Sequence, residues 1–220
     1  MAVTSTEAAA SARHGARDSE RTQAAILAAA TSEFARHGLG GARVDRIAQR
    51  ARANKRMLYY YYGSKDGLFL AVMEDTYARI RRAETSLTLL DVDPVESVRR
   101  LVEFTWEYYR SHPEFLTLLN TENLHQASHL RKSKKVREMN SPVIDTLRTV
   151  LDRGRKAGVF RAGVDPLQFY ISIAALSYFY LSNNHTLSAV FGRELASPAA
   201  KAARLAHMTD VVLGYLRPAQ

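Results

Sequence analysis

The sequence predicts an all-α protein with a small basic head and a larger helical body. Three observations carry this. Apolar residues recur at helical spacing along most of the 220-residue chain, alternating strand patterns are few, and Pro and Gly fall between the periodic segments, where helices end. With 46% apolar and 24% charged residues, the chain has enough material for a core in one large domain or two small ones. The formal net charge of +9 and pI of about 9.9 favour a polyanionic partner, nucleic acid or an anionic membrane surface, and say nothing of fold. The absence of cysteine excludes disulfides, thiol catalysis and Cys-based zinc, and it fits a reducing cytoplasm.

The elements follow in order. Residues 1–20, "MAVTSTEAAASARHGARDSE", lack an apolar run of the secretory kind and read as a disordered tail. A first helix over residues 21–37 carries Ile26, Leu27, Ala30 and Phe34 on one face, and Gly38 closes it. A short helix from about residue 43 presents Val44, Ile47, Ala48 and Ala51. After a break of two or three residues, Asn54 caps another short helix reaching about residue 61. Ser64 caps a helix that buries Leu68, Phe69, Val72 and Met73 and continues towards residue 83. Longer helices are expected over residues 95–110, 113–127, 133–157, 166–183 and 198–216, with Pro113, Pro166 and Pro198 at first-turn positions. The domain reading is therefore a tail over 1–20, a head over 21–67 and a body over 68–220. The longest apolar run, "YISIAALSYFYLS", is shorter than the roughly 20 residues a spanning helix needs.

The charge concentrates in the head. From Arg43 to Lys65 there are seven basic residues and one acidic residue, Asp45, so most of the +9 sits in about a tenth of the chain. Two short helices joined by a tight turn, with the charge on the second, describe a helix-turn-helix. Ala48 permits a close crossing, and Ile47 and Leu58 supply the shared core. The four tyrosines of "NKRMLYYYYGSKD" then separate by helical rotation of about 100° each. Tyr62 lies one turn from Leu58 and goes inward. Tyr59 shares a face with Lys55 and Arg56 and goes to the groove. Tyr60 and Tyr61 flank it, where a phenol bonds phosphate.

The stretch "ILAAATSEFARHGLGGARVDRIAQRARANKRMLYYYYGSKDGLFLAV" resembles the N-terminal domain of TetR/AcrR-type regulators. Ala29, Phe34, Gly38, Ile47, Ala48, Leu58, Tyr59, Tyr62, Ser64, Lys65 and Leu68 carry the likeness. The resemblance implies base-edge contacts from Lys55, Arg56, Met57 and Tyr59, and phosphate contacts from Arg43, Tyr60, Tyr61 and Lys65, with Asn54 at the start of the reading helix. Four departures stand out. Arg52 occupies a turn position usually held by Gly, which puts an Arg near positive φ. Arg56 replaces a frequent Gly, Ala42 replaces a common Thr cap, and Tyr62 replaces Phe, so that its hydroxyl needs a partner.

For the body, the resemblance implies a small-molecule effector site and a homodimer through helices near 166–183 and 198–216. Phe169, Ile173, Leu176, Tyr180 and Leu181 form one apolar stripe there, and Val211, Val212 and Tyr215 another. Candidate effector contacts are Phe104, Trp106, Tyr108, Phe115, Asn120, Asn123, Tyr178 and Asn184, residues that offer an aromatic wall or a polar tip. "TENLHQASHLR" and "ALSYFYLSNNHTLSAVFGREL" resemble a subgroup that includes a repressor of nicotinate catabolism, which implies a small aromatic or acidic inducer. Glu122, His125 and His129, at i, i+3 and i+7, share a helical face without matching a zinc motif, and no metal is expected. No cofactor is expected, and the sequence carries no G-x-S-x-G, P-loop or dinucleotide-binding glycine pattern, so it does not read as an enzyme. The expectation is a cytoplasmic DNA-binding repressor released by an inducer. The rivals are a helical protein on anionic membrane, or a DNA-binding activator with no effector.

Overall fold

A computed structural model describes the backbone of residues 3–218 and the side chains of residues 17–218. Among the described residues the regular structure is helical: α1 (Val3–Gly41), α2 (Val44–Ala51), α3 (Lys55–Tyr62), α4 (Lys65–Thr85), α5 (Pro94–Ser111), α6 (Pro113–Leu124), a 3-10 turn (Leu130–Lys132), α7 (Lys134–Lys156), α8 (Pro166–Phe191) and α9 (Pro198–Leu216). Helix α1 thus runs through most of the stretch expected to be a tail; Met1 and Ala2 lie outside the described residues. The Ala- and Arg-rich composition that lowers hydrophobicity there also has high helix propensity. Gly38 has the expected positive φ, 63°, but an extended ψ of 176°, so it kinks the chain and one more helical turn follows.

The chain divides into two compact units. The first, the head, runs up to Asp75 and also takes in Thr117–Ser133. The second, the body, comprises Thr76–Leu116 and everything from Lys134 on. The sequence places the boundary at residue 67 and does not assign residues 117–133 to the head.

In the head, Ile26, Ala30 and Phe34 of α1 pack with Ile47, Leu58, Leu68, Phe69 and Val72, all essentially buried. The Phe34 and Phe69 rings meet edge to face at 5.1 Å. The N-cap of α2 is Arg43, one residue after Ala42, and its side chain makes no capping bond. The buried Glu33 of α1 stands in, accepting the Arg43 amide at 3.1 Å and the Arg46 Nε–H at 2.7 Å. Arg52 ends α2 in the left-handed region, φ 51° and ψ 37°, as its place in the turn requires. Gly67 is obligatory for packing: a Cβ there would lie 2.1 Å from the Tyr62 carbonyl oxygen.

In the body, Val98, Leu101, Val102 and Trp106 of α5 form one core with Leu147, Val150 and Leu151 of α7, Phe169 and Ile173 of α8, and Met208, Val212 and Leu216 of α9. Asp93, Asp165 and Ser197 cap α5, α8 and α9 before first-turn prolines. Part of the expected dimer stripe is consumed here, since Phe169, Ile173 and Val212 are core residues. The apolar side chains these two helices leave exposed include Val211 and Tyr215 of the expected α9 stripe, and on α8 Leu167, Ile171, Phe179, Val190 and Phe191, which the expected α8 stripe does not contain. Helix α8 is apolar on nearly every side, so periodicity does not reveal which face is buried. No described helix is long and apolar enough to cross a membrane.

Candidate nucleic-acid interface and effector cavity

The reading helix α3 is built as its sequence requires. The Asn54 side chain accepts the Arg56 amide at 2.9 Å and starts the helix. Leu58 is 2% exposed and anchors one face. Tyr62 is half-buried and its hydroxyl finds a partner, donating to the Gln23 carbonyl at 3.3 Å. Burial pushes that phenol's pKa up, aided by Tyr61 and Asp75. Opposite this face, Arg56, Tyr59 and Tyr60 stand in solvent, the two rings 45% and 80% exposed; Asn54 and Lys55 are exposed beside them, and Met57 is partly covered.

Several expected contacts are engaged internally. Lys55 Nζ sits 2.7 Å from Asp45 Oδ1. That hydrogen bond, reinforced by charge, raises the ammonium pKa. The Tyr61 hydroxyl lies 3.0 Å from Ser19 Oγ, which ties α3 to α1. Lys65 Nζ donates to the Gly40 carbonyl at 3.3 Å. DNA contact by Lys55, Tyr61 or Lys65 therefore means exchanging an internal partner for an external one. Arg43 is exposed, with its amide held by Glu33. Burial by itself would raise Glu33, but the Arg43 amide, Arg46 and His37 outweigh it and hold the carboxylate below its usual range.

The Glu122–His125–His129 constellation resolves differently from its helical spacing. Helix α6 stops at Leu124, and Gln126 and Ala127 turn through the left-handed region, φ 55° and 57°. The three residues therefore do not share a helical face. Glu122, 2% exposed, accepts the amides of His129 and Leu130 at 2.9 and 2.8 Å, and its Oε2 lies 2.7 Å from His129 Nδ1. The His129 ring packs edge-on against Phe69, while His125 Nδ1 lies 2.8 Å from the Thr121 carbonyl. The carboxylate folds the loop back on the head, and no group of three His, Asp or Glu among the described residues is arranged to hold a metal.

In the body, a cavity of about 490 Å³ opens between α4, the 88–91 loop, α5 and α7. Leu89, Leu101, Met139, Pro142 and Val143 give it apolar walls, and Arg81 and Glu84 reach it from α4. None of the eight candidate effector residues lines it. Trp106 is core, its ring tilted against that of Tyr180 with centroids 5.8 Å apart. Phe115 packs on Tyr109 and Tyr77. Phe104 and Tyr108 line a separate, open groove with Arg100, Glu103 and Glu107. Asn184 is nearly buried on α8, which also carries Tyr178, and Asn120 and Asn123 belong to the head unit.

The polar floor of the cavity is missing from the sequence reading. Arg81 Nη1 lies 2.7 Å from Glu84 Oε2, and Nη2 donates to the Tyr170 hydroxyl at 2.6 Å. A signal for it exists in the chain: the buried period Met73, Thr76, Ile80 of α4 arrives next at Glu84. Burial drives the Glu84 carboxyl up to about 7 against the opposing pull of Arg81 and Tyr170. The same burial raises the Tyr170 hydroxyl to about 12 and raises that of Tyr109 as well.

The comparisons with known proteins agree with this arrangement. Residues 26–72 match the family described as bacterial regulatory proteins, tetR family, and residues 94–212 match the tetracyclin repressor-like C-terminal domain. The chain is 43% identical over 202 residues to the HTH-type transcriptional repressor NicS of Pseudomonas putida, covering 92% of this chain and 95% of that one. It is 26% identical over 194 residues to the HTH-type transcriptional regulator RutR of Escherichia coli O157:H7, covering 88% and 90%. Among solved structures, that of SCO4942 from Streptomyces coelicolor superimposes with a TM-score of 0.66 at 25% identity, covering 89% of this chain and 98% of that one.

Proposed function

The chain belongs to the TetR family of bacterial transcriptional regulators, and from that premise we propose that it is a homodimeric repressor whose head occupies an operator until a small molecule enters the body. The observation that carries this is the two-sided character of α3. One side is locked by Leu58 and Tyr62, and the other holds Arg56, Tyr59 and Tyr60 in solvent. A short helix so presented fits a major groove, with its first residues at base edges. In this reading Asn54, Lys55, Arg56, Met57 and Tyr59 face the bases, and Arg43, Tyr60, Tyr61 and Lys65 take phosphates.

A single reading helix covers few base pairs, so two copies are needed for useful specificity. The exposed apolar side chains of α8 and α9, Ile171, Phe179, Val211 and Tyr215 among them, supply the pairing surface in this proposal. The effector is a small aromatic or acidic molecule held in the α4–α5–α7 cavity. It acts by binding more tightly to a dimer whose reading helices are misplaced for successive grooves; equal affinity for both states would shift nothing.

Selection of bound fragments from the organism's own genome tests the proposal, and a specific site upstream of a gene is the expected result. With that site in hand, Arg56→Ala or Tyr59→Ala relaxes sequence preference, while Lys65→Ala weakens all sequences alike. Binding indifferent to sequence, or a Lys65→Ala variant that alters preference when Arg56→Ala does not, overturns the assignment.

A further inference from the structure

We infer that the α4–α5–α7 cavity takes up an organic anion and a proton together, the anion pairing with Arg81 and the proton going to Glu84. The inference deepens the effector proposal and rests on it for its regulatory meaning, though not for the binding itself.

The Arg81 and Glu84 side chains are only 10% and 6% exposed, and both line a chamber whose other walls are largely apolar. Their contact is close but poorly directed. Arg81 Nη1 and Glu84 Oε2 stand 2.7 Å apart, yet neither atom has a hydrogen bond of acceptable geometry, and Arg81 Nε has none either. The directed bonds of the cluster go to Tyr170, from Arg81 Nη2 at 2.6 Å and to Glu84 Oε1 at 3.3 Å. Arg81 lines the chamber, and its Nε and Nη1, though shielded, make no directed bond, so a turn of the side chain would bring N–H groups to a carboxylate or similar anion on an apolar body.

Charge balance supplies the proton. The resident pair is neutral. Adding an anion leaves one uncompensated negative charge away from water, which is costly, whereas protonating Glu84 restores neutrality. Glu84 is the group prepared to accept, since burial already holds its carboxyl near 7. Its surroundings offer no competing acceptor. Tyr170 from α8 and Tyr109 from α5 stay neutral because burial raises both hydroxyls, and Tyr77 on α4 adds a further phenol near Tyr109. Arg82 and Asp91, exposed where they line the cavity, carry opposite charges. An anion at Arg81 raises Glu84 further, so binding takes up at most about three-quarters of a proton at pH 7.5.

The test is calorimetric titration of the full chain, in two buffers of different ionisation enthalpy, against monocarboxylates with apolar bodies of six to twelve carbons and their primary amides and amines. The expected result is a carboxylate that binds at least about tenfold more tightly than its amide. It binds with uptake of about half to three-quarters of a proton at pH 7.5, and its affinity falls as pH rises from 7 to 8.5. Glu84→Gln keeps the carboxylate affinity but removes the uptake and the pH dependence. Arg81→Gln abolishes the preference of acid over amide. Failure of every carboxylate to bind, equal affinity for acid and amide, or proton release on binding overturns the inference. Operator release is scored separately. A proton-coupled acid that leaves the DNA complex intact upholds the anion site and refutes the effector proposal. A neutral or cationic compound that fills the cavity and releases the DNA does the reverse.

Discussion

Two ion pairs of identical length sit in opposite environments. Lys55–Asp45 in the head and Arg81–Glu84 in the body each close to 2.7 Å, but the first has side chains 48% and 74% exposed and the second 10% and 6%. Distance alone therefore says little about either. Water and salt screen the first, so its lysine can trade Asp45 for a contact on the duplex at little cost. The second cannot trade with water; it responds to a changed charge by moving a proton. One pair suits an exchangeable contact with a polyanion, the other a sensor of what enters a cavity.

The largest expected effect comes from breaking the buried pair. Arg81→Ala should cost about 3–5 kcal/mol in urea unfolding at pH 8, and less at pH 6, where Glu84 protonates and no longer needs a partner. A loss independent of pH would mean that packing, not charge, is what Arg81 supplies. A substitution that touches neither pair sets the scale: a Cβ on Gly154 would lie 1.9 Å from the Phe160 ring, so Gly154→Ala should lose about 1–3 kcal/mol, read as a lower urea midpoint.

The next effect contrasts two buried carboxylates by pH. Glu33 is held below its ordinary 4.5, so its contribution is present above that value and disappears as pH falls through the folded pKa. Glu84 is raised from 4.5 to about 7, so the native state binds its proton more tightly, and the associated stability is full below 4.5 and lost as pH climbs to 7. Glu84→Gln should flatten the stability profile between pH 4.5 and 7, and Glu33→Gln should flatten it below 4.5. Each slope is at most about 1.4 kcal/mol per pH unit. The smallest effect belongs to the exposed pair. Asp45→Asn should leave the melting temperature unchanged, tighten DNA binding roughly two- to fivefold, and steepen its salt dependence by about one ion. Unchanged DNA affinity would show that Lys55 is not exchanged onto the duplex.

The contrast also explains what was legible in the sequence. The head's features are local: Asn54 caps the helix it begins, Arg52 sits in the turn its place demands, and Leu58 and Tyr62 are one turn apart. The body's cavity is not local. "RIRRAET" looks like a solvated run, and Arg81 and Glu84 become a buried cluster only because Tyr170, 89 residues beyond Arg81, bonds to both. Aromatic identity misled in the same region, because Trp106 and Phe115 are spent on core packing and ring contacts rather than on the cavity wall. Likewise, Glu122, His125 and His129 share a face only if α6 continues, and the left-handed Gln126 and Ala127 end that register.

Helix α2 borrows its cap from Glu33, ten residues upstream, and this has an evolutionary consequence. A Ser, Thr or Asp at position 43 would cap amides further into the helix and leave its own amide and the Arg46 guanidinium still to be met by Glu33. Positions 33 and 46, whose side chains pair, should therefore covary among relatives, so that a mutation tolerated in one lineage is forbidden in another.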